Sequence, residues 1–203
     1  MAVTVQGPLP AAPEPRRSVL LTGTFLAIAA GTMLVGGLLA AYFAAREAVL
    51  AGGGEWGLEA GDMPNSALGV TYMALLLSSF TAQWAVWAIK VGERRQTYVA
   101  VGVTMLLGLA FVNGLSFCYT QLGFEAGEST YANVVYAASG THLVLVVAAL
   151  VLFLTMGFRV LGGQFGPGNA GFVTSAVSVW HFVVAAGGVV YWCLWFLTGG
   201  PSS

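Results

Sequence analysis

The chain has 203 residues, 58% of them hydrophobic and 7% charged, with a formal net charge of −1. A soluble domain carries about 25% charged residues, so a water-facing globular surface is excluded. The near-neutral balance also excludes the basic stripe that nucleic-acid binding requires.

Residues 1–17 differ from the rest. Pro8, Pro10, Pro13 and Pro15 interrupt any helix and small residues fill the gaps, so the segment reads as a disordered tail. The apolar run after Arg16 and Arg17 is far longer than the ~7–15 residues of a signal-peptide core and reads as a retained span. Five uncharged segments follow: Arg17 to Arg46, Asp62 to Lys90, Arg95 to Glu125, Glu128 to Arg159, and Arg159 to the end. Each exceeds the ~20 apolar residues that a helix needs to cross a ~30 Å hydrocarbon core. With no water there to satisfy the backbone, each must be helical. The expected fold is an all-α integral membrane bundle of five transmembrane helices, at about 18–45, 66–90, 97–121, 132–158 and 171–197. They make one domain over 18–199, followed by a tail at 200–203.

The first helix carries small residues at Gly36, Ala40 and Ala44 and again at Gly37, Ala41 and Ala45. Spacing of four puts each set on one stripe, where helix backbones can approach closely in lipid. Packing inside the chain is the expected use, and contact with another subunit is the rival. No internal repeat is evident, which weighs against an inverted-repeat transporter.

Charge asymmetry sets the orientation. With the N-terminus in the cytoplasm, Arg16, Arg17, Lys90, Arg94, Arg95 and Arg159 lie inside, and Arg46 alone among basic residues lies outside. Glu47, Glu55, Glu59, Asp62, Glu125 and Glu128 collect on the outer side. The chain is therefore expected to be a multi-pass protein of the cell membrane, N-terminus cytoplasmic and C-terminus outside. Tyr42, Phe43, Tyr191, Trp192, Trp195 and Phe196 are expected near the outer surface, and Trp84 and Trp87 near the inner one.

Residues able to do chemistry are few. No Asp, Glu, Lys or Arg lies deep in a span, whereas proton pumps and ion-coupled carriers usually need such groups. His142 and His181 sit mid-helix in the fourth and fifth spans. On separate helices they could ligate one haem, but neutral histidines hydrogen-bonded within the bundle are the simpler reading, with Ser139, Thr141 or Ser178 as candidate partners. A copper or zinc site needs a further ligand, and no carboxylate is near. A serine–histidine pair lacks an orienting acid, and no phosphate loop is present. Cys118 and Cys193 read as buried small apolar residues.

These residues also carry a resemblance. Met33, Gly37 and the run from Ala41 through Tyr42 and Phe43 to Arg46 look like the first helix of subunit III of the haem-copper oxidases. Ser78, Ser79, Phe80, Thr81 and Gln83 resemble the second motif, and Phe111, Val112 and Gly114 the third. Ser139, Gly140, Thr141 and His142 resemble the Gly-x-His stretch, and Trp180, His181 and Phe182 the Trp-His-Phe-Val-Asp motif. The resemblance covers all five spans in order. It implies an accessory chain of an oxidoreductase complex that performs no redox chemistry itself. Catalytic, cofactor and metal residues are then none in this chain, with haem and copper in the partner. The implied partners are the catalytic subunit I, subunit II and membrane phospholipid. His142, His181, Trp180, Gly31, Met33, Gly37, Ser79 and Gln83 become the candidates for structural, lipid or subunit contact. The departures are Gly31 and Cys118, where the family has intramembrane acids, and Val183 or Val184 in place of the motif's Asp. Those acids are associated with proton supply and lipid binding, so their loss favours a scaffold over a proton antenna and suggests a divergent branch serving an oxidase or a related reductase. A small transporter or channel and a stand-alone bis-histidine haem protein are the rival readings.

Overall fold

The computed structural model describes residues 17–57 and 65–196. The proline-rich tail, Glu59, Asp62 and the C-terminal residues 197–203 lie outside the described residues. Five α-helices succeed one another: α1 (Arg17–Ala51), α2 (Asn65–Val91), α3 (Arg94–Gln121), α4 (Thr130–Leu161) and α5 (Gly171–Tyr191), the last continued by a π-helical turn over Trp192–Phe196. All five are long and apolar enough to cross a membrane.

Helix ends follow local chemistry. Gly92, at φ 83°, lets the chain reverse between α2 and α3 in two residues, a backbone conformation that side chains disfavour. Ser129 caps α4, its hydroxyl accepting from the Ala132 amide at 3.0 Å. Lys90 and Arg159 occupy the last turns of α2 and α4, where cations complement the helix dipole. α1 runs beyond the apolar stretch that ends at Ala45, through Arg46 and Glu47, which pair with each other at 2.9 Å, to Ala51.

Helices α2, α3, α4 and α5 close a ring in which each touches its two neighbours, and α1 lies outside it against α4 and α5. α5 is the most enclosed, with 56% of its most apolar stretch buried, whereas the figure for α1 is 17%. Most of α1 therefore faces outward. Gly36, Ala40 and Ala44 are exposed, as are Gly37 and Ala41, and Ala45 is half-buried. A Cβ built on Gly36 or Gly37 meets nothing within 4 Å. The expectation that these stripes pack inside the chain is corrected. α1 seats instead through Gly31, Val35, Leu39 and Tyr42.

Two residues assigned to the outer surface turn inward. Tyr42 is wholly buried and Trp195 nearly so. Tyr42 meets the Trp56 ring edge-on at 5.4 Å, and Trp56 meets Tyr131 at 5.3 Å. Trp56 Nε1 donates to the Tyr42 hydroxyl at 3.3 Å. Phe124 joins Tyr131 and Tyr136, and the Tyr136 hydroxyl donates to the Phe124 carbonyl. The two loops at the acidic end are thus pinned to the helices by edge-to-face aromatic contacts, each worth about 0.5–1.5 kcal/mol beyond area burial.

Candidate functional site

The polar side chains singled out in the sequence converge on α5. Trp180 is fully buried. Its Nε1 donates to the Ser78 hydroxyl at 2.9 Å, and Ser78 in turn donates to the Leu75 carbonyl. The ring lies 5.0 Å from Phe153 and over Gly108, where an added Cβ would fall 2.7 Å from it. One turn of the tryptophan therefore links α2, α3, α4 and α5.

His181 follows on the more open side of α5. Its Nε2 lies 3.1 Å from Gln83 Oε1, and Ser79 Oγ contacts its Nδ1. Gln83 Oε1 accepts only, so Nε2 carries the proton and Nδ1 accepts from the serine hydroxyl. Ser79, His181 and Gln83 form one α2–α5 clasp in which both imidazole nitrogens are used. A second α2 contact joins the Thr81 and Thr104 hydroxyls at 2.8 Å, tying α2 to α3.

His142 is fully enclosed. Its Nε2 donates to the Val183 carbonyl at 3.0 Å, and the ring sits edge-on to Phe111 at 5.5 Å. Gly187 makes room for it, since a Cβ there would lie 2.7 Å from the imidazole. Nδ1 has no partner. The anticipated partners are corrected: Ser139 donates to the Val135 carbonyl and accepts from the Tyr119 hydroxyl, Ser178 donates to Thr174, and the histidines bond elsewhere. Both His181 nitrogens and the His142 Nε2 are thus engaged in hydrogen bonds within the bundle.

The remaining candidates lie apart. Gly31 is buried under Phe182, whose ring would be 2.6 Å from an added Cβ. Met33 is 79% exposed and Gly37 is exposed, so neither packs within the chain. Cys118 is buried and Cys193 half-buried, and the two are not joined in a disulfide. Among the described residues no group of three or more His, Cys, Asp or Glu is placed to hold a metal.

Sequence comparison decides the family. The model of the family described as cytochrome c oxidase subunit III matches residues 14–198. The chain belongs to the cytochrome c oxidase subunit III family. A probable cytochrome c oxidase subunit 3 of Nocardia farcinica is 33% identical over 178 residues, 83% of each chain. The corresponding protein of Mycobacterium tuberculosis H37Rv has the same identity and coverage. Cytochrome c oxidase subunit 3 of Corynebacterium diphtheriae is 28% identical over 171 residues, again 83% of each chain. A subunit III is one component of an oxidoreductase complex in a membrane, and the five spans fit that setting. Within this family, the geometry around α5 describes a neutral, hydrogen-bonded framework. Two features were not visible in the sequence. The Val183 carbonyl has no signature as a partner for His142, and Trp56, in a loop, has no periodicity that would place it against Tyr42.

Proposed function

We propose that the chain is the accessory subunit III of a cell-membrane cytochrome c oxidase that docks on the catalytic haem-copper subunit I and on subunit II and holds phospholipid. Electrons from cytochrome c would reduce oxygen in the partner, which carries the haem and copper. The N-terminus lies in the cytoplasm and the C-terminus outside, as the clustering of basic residues favours. Met33 and Gly37 belong to the docking face, His142 and Trp180 hold the bundle together, and Ser79, Gln83 and His181 brace α2 against α5.

The observation that carries this reading is the uncovered face of α1, small-residued over Gly36, Gly37, Ala40 and Ala41 and open in the isolated chain. In lipid such a face gains by packing against another helix, and family membership supplies the kind of neighbour. Purification in mild detergent should bring down a larger haem-copper subunit in stoichiometric amount. Recovery as a lone homo-oligomer would overturn the proposal. A cysteine introduced at Glu59 should react with an impermeant reagent from outside while one at Arg94 stays protected, and the reverse pattern would invert the orientation. A carbodiimide that attacks buried carboxyl groups should leave the spans unmodified, because Gly31 and Cys118 stand where the resemblance places acids.

A further inference from the structure

The clasp between α2 and α5 is satisfied on one side only. Ser79 and His181 are half-buried, but Gln83 is exposed. Its Oε1 is engaged by His181 Nε2 at 3.1 Å. The two N–H groups of its carboxamide have no partner among the described residues. Beside it on the same face of α2 stand Phe80 and Trp87, both exposed, and neither side chain can accept a hydrogen bond. The neighbouring Trp84 indole is a donor as well and is committed to Gln96 Oε1 at 3.2 Å.

Depth makes the open amide costly. Gln83 stands about two turns of helix before Lys90, which occupies the last turn of α2. That sets it about 10 Å deeper than the lysine. Helical side chains lean toward the N-terminus of their own helix, so the carboxamide points away from the Lys90 end and further into the hydrocarbon. A short glutamine so directed cannot snorkel to the headgroups as a lysine does. Lipid tails offer no acceptor, and an unsatisfied polar group among them is expensive. The α5 side permits close approach. His181, Ala185 and Gly188 share one face of the helix. Ala185 and Gly188 are exposed, and a Cβ built on Gly188 meets nothing within 4 Å.

We propose that a transmembrane helix of another chain crosses α2 and α5 at this level and presents a hydrogen-bond acceptor to the Gln83 amide. The acceptor is a serine or threonine hydroxyl, a side-chain carbonyl, or a backbone carbonyl released at a helix break. Ala185 and Gly188 let that helix come close to the α5 backbone. A subunit III belongs to a complex, so such a helix is at hand. Lipid does not satisfy the amide, because its oxygens lie at headgroup level. The contact is additional to the small-residue face of α1, which is on a different helix and carries no open donor of this kind. It rests on the proposed function only for the presence of a neighbouring chain.

A photoreactive benzoylphenylalanine in place of Phe80, in the complex purified in mild detergent, provides the test. Irradiation should join it to a transmembrane peptide of another subunit, identified by mass spectrometry. Gln83→Leu should lower the yield of that adduct about threefold, the loss of one hydrogen bond between membrane helices. Gln83→Glu, neutral at this depth, keeps an acceptor for His181 and one O–H donor, and its yield should stay closer to wild type. Thr81→Val removes the hydroxyl contact with Thr104 without touching Gln83, and should leave the yield unchanged. Adducts with lipid alone, or with a second copy of this chain alone, would overturn the proposal. So would an undiminished yield in Gln83→Leu, or an equal fall in Thr81→Val. Co-purification of the larger haem-copper subunit in the same samples tells the two readings apart: with that subunit present and lipid alone on the probe, only the contact at Gln83 fails.

Discussion

Helices α1 and α5 are comparably apolar, yet they do opposite jobs. α5 is held by directional bonds. Trp180 reaches Ser78, His181 reaches Ser79 and Gln83, and the Val183 carbonyl receives His142. α1 is held chiefly by close packing, with Gly31 under Phe182 and Tyr42 in an aromatic cluster, and it leaves its small residues uncovered. Hydrophobicity cannot order helices among lipid tails that are equally apolar. Hydrogen bonds and close packing decide which helix becomes the centre and which stays at the edge.

The contrast is broken most severely at Trp180. Replacing it with alanine should destabilise the purified chain by about 3–5 kcal/mol through the cavity left among Phe153, Gly108 and Ser78. Trp180→Phe should cost less, about 1–3 kcal/mol, since it loses the Ser78 bond and the part of the ring over Gly108 but keeps the rest of the packing. Thermal melting in detergent, read by circular dichroism, distinguishes the two, and an alanine variant as stable as wild type would remove α5 from the centre. Gly31→Leu comes next, at about 1–3 kcal/mol from overpacking against Phe182. Adding Phe182→Ala should recover part of that loss, so that the double variant melts above the sum of the singles. Gln83→Leu should cost no more than about 1 kcal/mol, since hydrogen bonds between membrane helices average ~0.6 kcal/mol. Ala40→Leu is expected to be the mildest for the isolated chain, within ~0.5 kcal/mol, because nothing in the chain covers it. Its effect should appear as loss of the larger subunit on gel filtration of the complex. A drop in the free chain's melting temperature would mean instead that α1 packs inward.

How much of this was readable in the sequence depended on the kind of signal. The five helices followed from charge gaps, since an uncharged run in lipid has one backbone solution. Ser79, Gln83, Trp180 and His181 were visible as motif residues, and the structure joins them through spacing that puts 79 and 83 on one face of α2. The fate of the α1 stripes was not readable. A period of four is the same whether the partner helix belongs to this chain or to another. Tyr42 was hidden for a related reason. An aromatic residue near a helix end looks the same whether it points to the headgroups or turns inward onto Trp56 from a loop.

The seat of α1 bears on how the protein is made. Its contacts are with the last two helices to be synthesised, so α1 enters the membrane with no lasting neighbour. From Ala51 the ribosome must reach Thr130 before α4 begins, which at ~5–20 residues per second leaves α1 unpaired for roughly 4–16 s. Through that interval both its flanks are accessible, the one destined for Phe182 and the small-residue face that the finished chain never covers. A waiting subunit could therefore engage α1 before α5 exists, and assembly of the complex need not follow folding of the chain but can overlap with it.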